Sequence, residues 1–173
     1  MDSHHQIFKN LLQETKRDEN ILGILLTGSR GKKYENKNSD YDIHIIVKDG
    51  LAGKYKRSYS NKKLPKIDLV ISSLSEFKKY AAWQSDTHWD RYDFTHVQAL
   101  IDKTGKIQKL INDKGAIPKN KKRGFINGEL NAYLNGFYRA VKSNRNKDPL
   151  GARLEAAASI GHFLNAVFAL HDR

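Results

Sequence analysis

The chain contains no cysteine, three prolines and a single methionine in 173 residues. Without thiols there is no disulfide framework and no thiolate zinc site. No apolar run approaches the ~20 residues needed to span a bilayer. The opening residues, MDSHHQIFKN, lack the apolar core of a secretory signal. A soluble, cytoplasmic protein is the expectation. A Cys/His cluster, a P-loop, a G-x-S-x-G elbow and a G-x-G-x-x-G turn are also missing, which removes most familiar enzyme classes. Acidic charge is the scarcer sign, with 19 Asp/Glu against 31 Lys/Arg and a formal net charge of +12. Residues 1–100 carry 17 basic and 13 acidic side chains, whereas residues 101–173 carry 14 and 6. Such a surface attracts polyanions, nucleoside triphosphates and nucleic acid alike, or is simply a solvated lysine-rich exterior.

Chemistry concentrates between Gly23 and Val47, GILLTGSRGKKYENKNSDYDIHIIV. A β-like run, Ile21 to Thr27, stops at Gly28-Ser29, which should open a short helix through Arg30 to Tyr34. A helix start leaves free backbone N–H groups, and with the Ser29 hydroxyl these suit phosphate oxygens. Glycine permits close approach there. A second β-like run, Tyr41 to Val47, begins beside Asp40 and Asp42. Strand side chains alternate with a period of two, so both carboxylates project to one side. Like charges held that close are costly unless a cation lies between them, and hard Mg²⁺ takes oxygen ligands of this kind. A third acid, Asp68, sits in the β-like run Lys66 to Ile71, where a charge must be paired, metal-bound or at an exposed edge. His44 shares the parity of Asp40 and Asp42 but lies deeper, and is expected to support the ligands from behind or to pack, outside the ligand set itself.

The ordered set Gly28-Ser29, Asp40-Tyr41-Asp42 and Asp68 resembles the nucleotidyltransferase fold of the DNA polymerase beta superfamily. In look it is closest to the antibiotic (aminoglycoside and lincosamide) nucleotidyltransferase-like group. The resemblance covers roughly Ile21 to Ile71 by motif and continues more weakly into a helical C-terminal part. It implies an α/β (α+β) nucleotidyltransferase fold, a small mixed sheet with flanking helices followed by that helical part. It implies two Mg²⁺ ions on Asp40, Asp42 and Asp68, with the triphosphate of a nucleotide, ATP by preference, held at Gly28, Ser29 and Arg30. A nucleoside monophosphate would pass to a hydroxyl of a small-molecule acceptor, and pyrophosphate would leave. The basic C-terminal half argues for a neutral or anionic acceptor rather than a polycation. The alternative is a binding module on the same fold, of toxin–antitoxin type, acting on protein or RNA without turnover.

The rest of the chain frames this centre. A first amphipathic helix is expected from Ser3 to Asp18, with Ser3 as its cap. Lys48 to Lys66 loses periodicity and gains charge, and is expected to be a mobile connection rimming the site. Ser72 or Ser73 should cap a helix from Leu74 to Trp83. Gln84 to Phe94 is expected to be a polar surface loop, with Asp90, Arg91 and Asp93 as the lesser possibility of substrate contacts. A fourth strand is expected at Thr95–Asp102 and a short helix at Ile107–Asn112. A catalytic domain over 1–115 and a helical domain over 116–173 follow. Ile126 to Val141 and Leu150 to Phe168 form two helices, the second capped by Asp148 with Pro149 in its first turn. Glu129 and Glu155 are the acids here that could act as a base, with surface placement preferred for both. Two broad apolar stripes predict a homodimer through these helices, bringing Arg139 or Lys142 toward the other chain's nucleotide.

Overall fold

The computed structural model describes residues 3–172. The chain divides after Ala116 into two compact units. In the first, the element order is α1 (Ser3–Arg17), β1 (Ile21–Leu26), α2 (Gly28–Gly31), β2 (Tyr41–Val47), α3 (Ala52–Ser60), β3 (Ile67–Ser73), α4 (Leu74–Lys79), a 3₁₀-helical segment (His88–Phe94), β4 (Ala99–Asp102) and α5 (Ile107–Gly115). The second unit is a pair of helices, α6 (Lys119–Arg145) and α7 (Pro149–Leu170). The cap expected at Ser3 lies outside the described side chains. Among the described residues, no helix is long and apolar enough to cross a membrane.

The four strands form one mixed sheet in the order β3-β2-β1-β4, parallel between β2 and β3 and antiparallel elsewhere. Strand parity sends Tyr41, Ile43, Ile45 and Val47 to one face, where α1 and α3 cover them through Leu11, Ala52, Tyr55 and Tyr59. Leu25 and Ile46 point to the other face and pack with Phe77, Phe94, Ile107 and Ile111. The sheet is thus covered on both sides, and Leu25, Ile45, Ile46 and Val47 are fully buried.

Two expectations are corrected. The stretch from Lys48 to Lys66 is not a mobile loop, because α3 occupies Ala52–Ser60. Parallel neighbours need a crossover connection, and α3 is that crossover. Its buried residues Ala52, Tyr55 and Tyr59 follow helical spacing, which the lysines on its outer side obscure in the sequence. The helix opened by Ser73 carries the expected capping box with Glu76 but ends at Lys79, short of Trp83. It stops because Lys114 Nζ, 4% exposed, donates to the carbonyls of Lys78 and Tyr80, while Arg91 Nη1 donates to the Ala81 carbonyl at 2.9 Å. Those bonds hold the chain in a turn, with Ala81 at φ 51°. In the second unit, Asp148 caps α7 by accepting from the Gly151 amide, and Pro149 occupies the first turn as expected.

Candidate functional site

The centre is built where β1 ends beside the start of β2. The Thr27 amide donates to the Asp42 carbonyl at 2.8 Å, which fixes the turn out of β1 against the acid-bearing strand. Gly28 follows with φ +60°, and a Cβ there would lie 1.8 Å from Asp42 Oδ2. Glycine is therefore required twice, for its left-handed backbone and for its contact with a carboxylate. The helix it opens is a single turn, shorter than expected.

Arg30 Nε and Nη2 donate to the Ser39 carbonyl at 3.2 and 2.9 Å, and the guanidinium lies 4.1 Å from the Tyr41 ring centre. Its contacts brace the turn that delivers Asp40, where the sequence suggests a phosphate contact. The same turn is tied internally, Asn36 Oδ1 accepting from the Asn38 amide and Ser39 Oγ accepting from the Asn36 amide.

Asp42 and Asp68 are direct register partners across the parallel pair β2 and β3, and Asp40 immediately precedes β2. One carboxylate oxygen from each of the three lies within 4.8 Å of the others. Oxygens at opposite vertices of one Mg²⁺ are about 4.2 Å apart, so small side-chain rotations bring this set onto a hard divalent cation. Burial raises the Asp42 pKa, and the charges of Asp40, Asp68 and Asp93 push it further the same way. The group lacks a compensating positive charge, and a divalent cation would supply one.

A cavity of about 250 Å³ opens beside Asp42 and Asp68, lined also by Thr27, Gly28, His44, Val70, Tyr80 and Asp93. Asp93 reaches it from the 3₁₀ segment, its pKa raised by burial and by Asp90 and opposed by Lys32. From the sequence alone, Asp93 reads more readily as a surface-loop residue than as part of the site. A three-residue turn places Asp90 and Asp93 on one edge, and that spacing is the signal that could have found it. Asp90 is buried against the Tyr80 phenol, whose pKa is raised by burial and by its hydrogen bond to Asp90. The segment is tied to the chain after α2 by Lys32 Nζ, which donates to the Tyr92 carbonyl at 2.7 Å, and by a 3.1 Å contact between the Tyr34 and Tyr92 hydroxyls.

His44 sits one row deeper than Asp42. It is buried, edge-on to Phe94 at 5.8 Å, and burial drives its pKa to about 4 despite the nearby Asp90 charge. It is a neutral packing residue, in line with its parity and depth. Arg91 braces the scaffold through the carbonyls of Ala81, Asp113 and Ala116. Glu129 and Glu155 are engaged inside the second unit, with His162 and Asn165 and with Arg139 respectively.

A small mixed sheet that gathers carboxylates from adjoining parallel strands beside a glycine-serine turn defines an α/β protein with an acidic cluster that could hold a cation. A family model described as a nucleotidyltransferase domain matches residues 8–113, more than half of the chain, and the protein belongs to that family. In fold it is similar to a nucleotidyltransferase-like protein from Exiguobacterium sibiricum 255-15, with a TM-score of 0.51 and 10% sequence identity. That likeness covers 97% of this chain and 58% of the other, so this chain spans little more than half of its neighbour's length. No curated protein matches the sequence.

Proposed function

We propose that the protein transfers a nucleoside monophosphate from a nucleoside triphosphate, ATP by preference, to a hydroxyl of a small-molecule acceptor. The observation that supports this most is the convergence of Asp40, Asp42 and Asp68 beside Gly28-Ser29 in a chain of the nucleotidyltransferase family. In this reading the three carboxylates hold two Mg²⁺ ions, which when bound neutralise the triphosphate and polarise the α-phosphate. The turn at Gly28 and Ser29 receives the β- and γ-phosphates. Asp68, on the neighbouring strand, orients the acceptor hydroxyl. Asp93, made more basic chiefly by burial, takes the hydroxyl proton. The acceptor oxygen bonds to the α-phosphorus, the bond to the β-phosphate oxygen breaks, and pyrophosphate leaves.

Calorimetric titration of ATP with and without Mg²⁺, paired with pyrophosphate release over a panel of hydroxyl acceptors, tests it. Metal-dependent nucleotide binding and turnover are expected. Nucleotide binding without turnover on any acceptor would favour a non-catalytic module on the same fold. Loss of binding in both conditions would overturn the nucleotide reading itself.

A further inference from the structure

The second unit is two antiparallel helices, since Lys122 bonds the Leu170 carbonyl at 3.2 Å while Arg139 pairs with Glu155 at 2.7 Å. Small residues line their seam. Ala140, Ala166 and Ala169 are buried, and a Cβ on Gly136 would lie 2.9 Å from Ser159 Cβ. The two sides of that seam differ. On one side lie the polar contacts, Glu129 Oε2 with His162 at 2.9 Å and with Asn165 at 3.2 Å, and the Arg139–Glu155 pair. On the other, the Tyr133 ring stands 5.2 Å from Phe163 and 6.3 Å from Phe137.

The 3.6-residue period extends that aromatic side in both directions. On α6 it takes in Leu130, Leu134 and Phe137, and on α7 Ile160 and Leu164. Leu134, Phe137, Ile160 and Phe163 are 59%, 53%, 54% and 43% exposed. We propose that this face binds a second copy of the chain, two hairpins closing about a two-fold axis into a four-helix bundle.

Area favours a copy as the occupant, and charge supplies the test that separates a copy from another partner. A covered phenylalanine buries about 150–250 Å², and each of these retains about half of that free. With the aliphatic side chains alongside, the face offers on the order of 600–700 Å², the range in which stable interfaces begin at ~600–800 Å² per partner. A flat layer of two antiparallel helices is completed by another such layer, and an isologous copy presents the same apolar surface. Residues 117–173 carry ten Lys/Arg against four Asp/Glu, so two copies bring like-charged rims together. Association with a copy therefore strengthens as salt screens the rims, whereas association with an acidic partner weakens.

Sedimentation of the full chain over a dilution series, at low and high salt, reads this directly. A concentration-dependent dimer that salt strengthens is expected, reduced to a monomer by Leu134→Glu with Phe137→Glu. Asn135→Glu, a new carboxylate on the polar side of the seam, should leave the dimer intact while far-ultraviolet circular dichroism keeps its helical signal in all variants. A wild-type monomer at every concentration and salt overturns the proposal. So does a dimer that survives the double substitution, which would place the contact elsewhere.

Discussion

Apolar side chains fare differently on the two sides of Ala116. In the sheet unit, β1 and β2 lie under helices on both faces, and the charged groups are gathered at one strand end around a cavity. In the helical unit, α6 and α7 pack on each other, and Leu134, Leu150, Leu154 and Leu170 are each more than half exposed. The sheet unit closes its own core and places its unsatisfied groups where a ligand would compensate them. The hairpin leaves its unsatisfied surface apolar, which a ligand of the first unit's kind could not cover. In the readings proposed above, an ion and a nucleotide would complete the first region and more protein the second.

The largest expected effect tests the ligand half of that contrast. Asp42→Asn and Asp40→Asn should each lower nucleotidyl transfer by at least about 10³-fold, since each removes a ligand of the cations that would stabilise the transferring phosphate. Asp93→Asn should cost less, about 10²-fold, in line with loss of a general base. Steady-state pyrophosphate release measures all three. Unchanged turnover in Asp42→Asn would remove the carboxylate cluster from the chemistry.

Much of this contrast is legible in the amino-acid sequence. The Asp-x-Asp parity, the β-like flanks and Gly28-Ser29 place the acids, because strand alternation is local and needs no tertiary information. The hairpin is equally legible, since Asp148-Pro149 marks its turn by local chain stiffness. What stays hidden depends on neighbours. Six basic residues between Lys54 and Lys66 mask α3, whose inward face shows only as Ala52, Tyr55 and Tyr59. Arg30 reads as a phosphate ligand, and its hydrogen bonds to the Ser39 carbonyl, which brace the turn before Asp40, depend on a neighbour the sequence does not show. Asp93 looks like one acid in a polar loop until the 3₁₀ turn aims it at the cavity beside Asp42.

The next effect concerns stability. Ile46→Ala deletes a fully buried side chain from the sheet core and should destabilise by about 2–5 kcal/mol. Leu134→Ala removes a side chain that is 59% exposed, and below the dimer's dissociation concentration it should change stability by no more than about 0.5 kcal/mol. Denaturant melts of dilute protein separate them. Equal losses in both variants would mean that the hairpin face is covered within a single chain, and the contrast between the two regions would fail.

A smaller effect than that of Ile46→Ala lies at the acid cluster itself and is read without substrate. Asp42 has a folded-state pKa raised above its unfolded value, first by burial and then by Asp40, Asp68 and Asp93. The folded protein therefore holds that proton more tightly than the unfolded chain does. Its stabilising contribution is fully present below the unfolded pKa and is lost as pH rises through the raised value. At neutral pH in chelator, the ionised Asp42 is a net cost, and Asp42→Asn should melt higher than wild type. The cluster is partly open to solvent, so the gain is screened to on the order of 1 kcal/mol, roughly 2–4 °C. The gap should narrow as pH falls through the raised Asp42 value, because wild type then carries the proton and the repulsion disappears. Adding Mg²⁺ at neutral pH should reverse the order, raising wild type through ligand binding while leaving Asp42→Asn almost unmoved. Thermal melts in the two buffers give both signs. If Asp42→Asn melts below wild type in chelator at neutral pH, the carboxylate supports the turn at Gly28 in its own right, and the sheet unit would be as self-sufficient at its charged end as it is in its core.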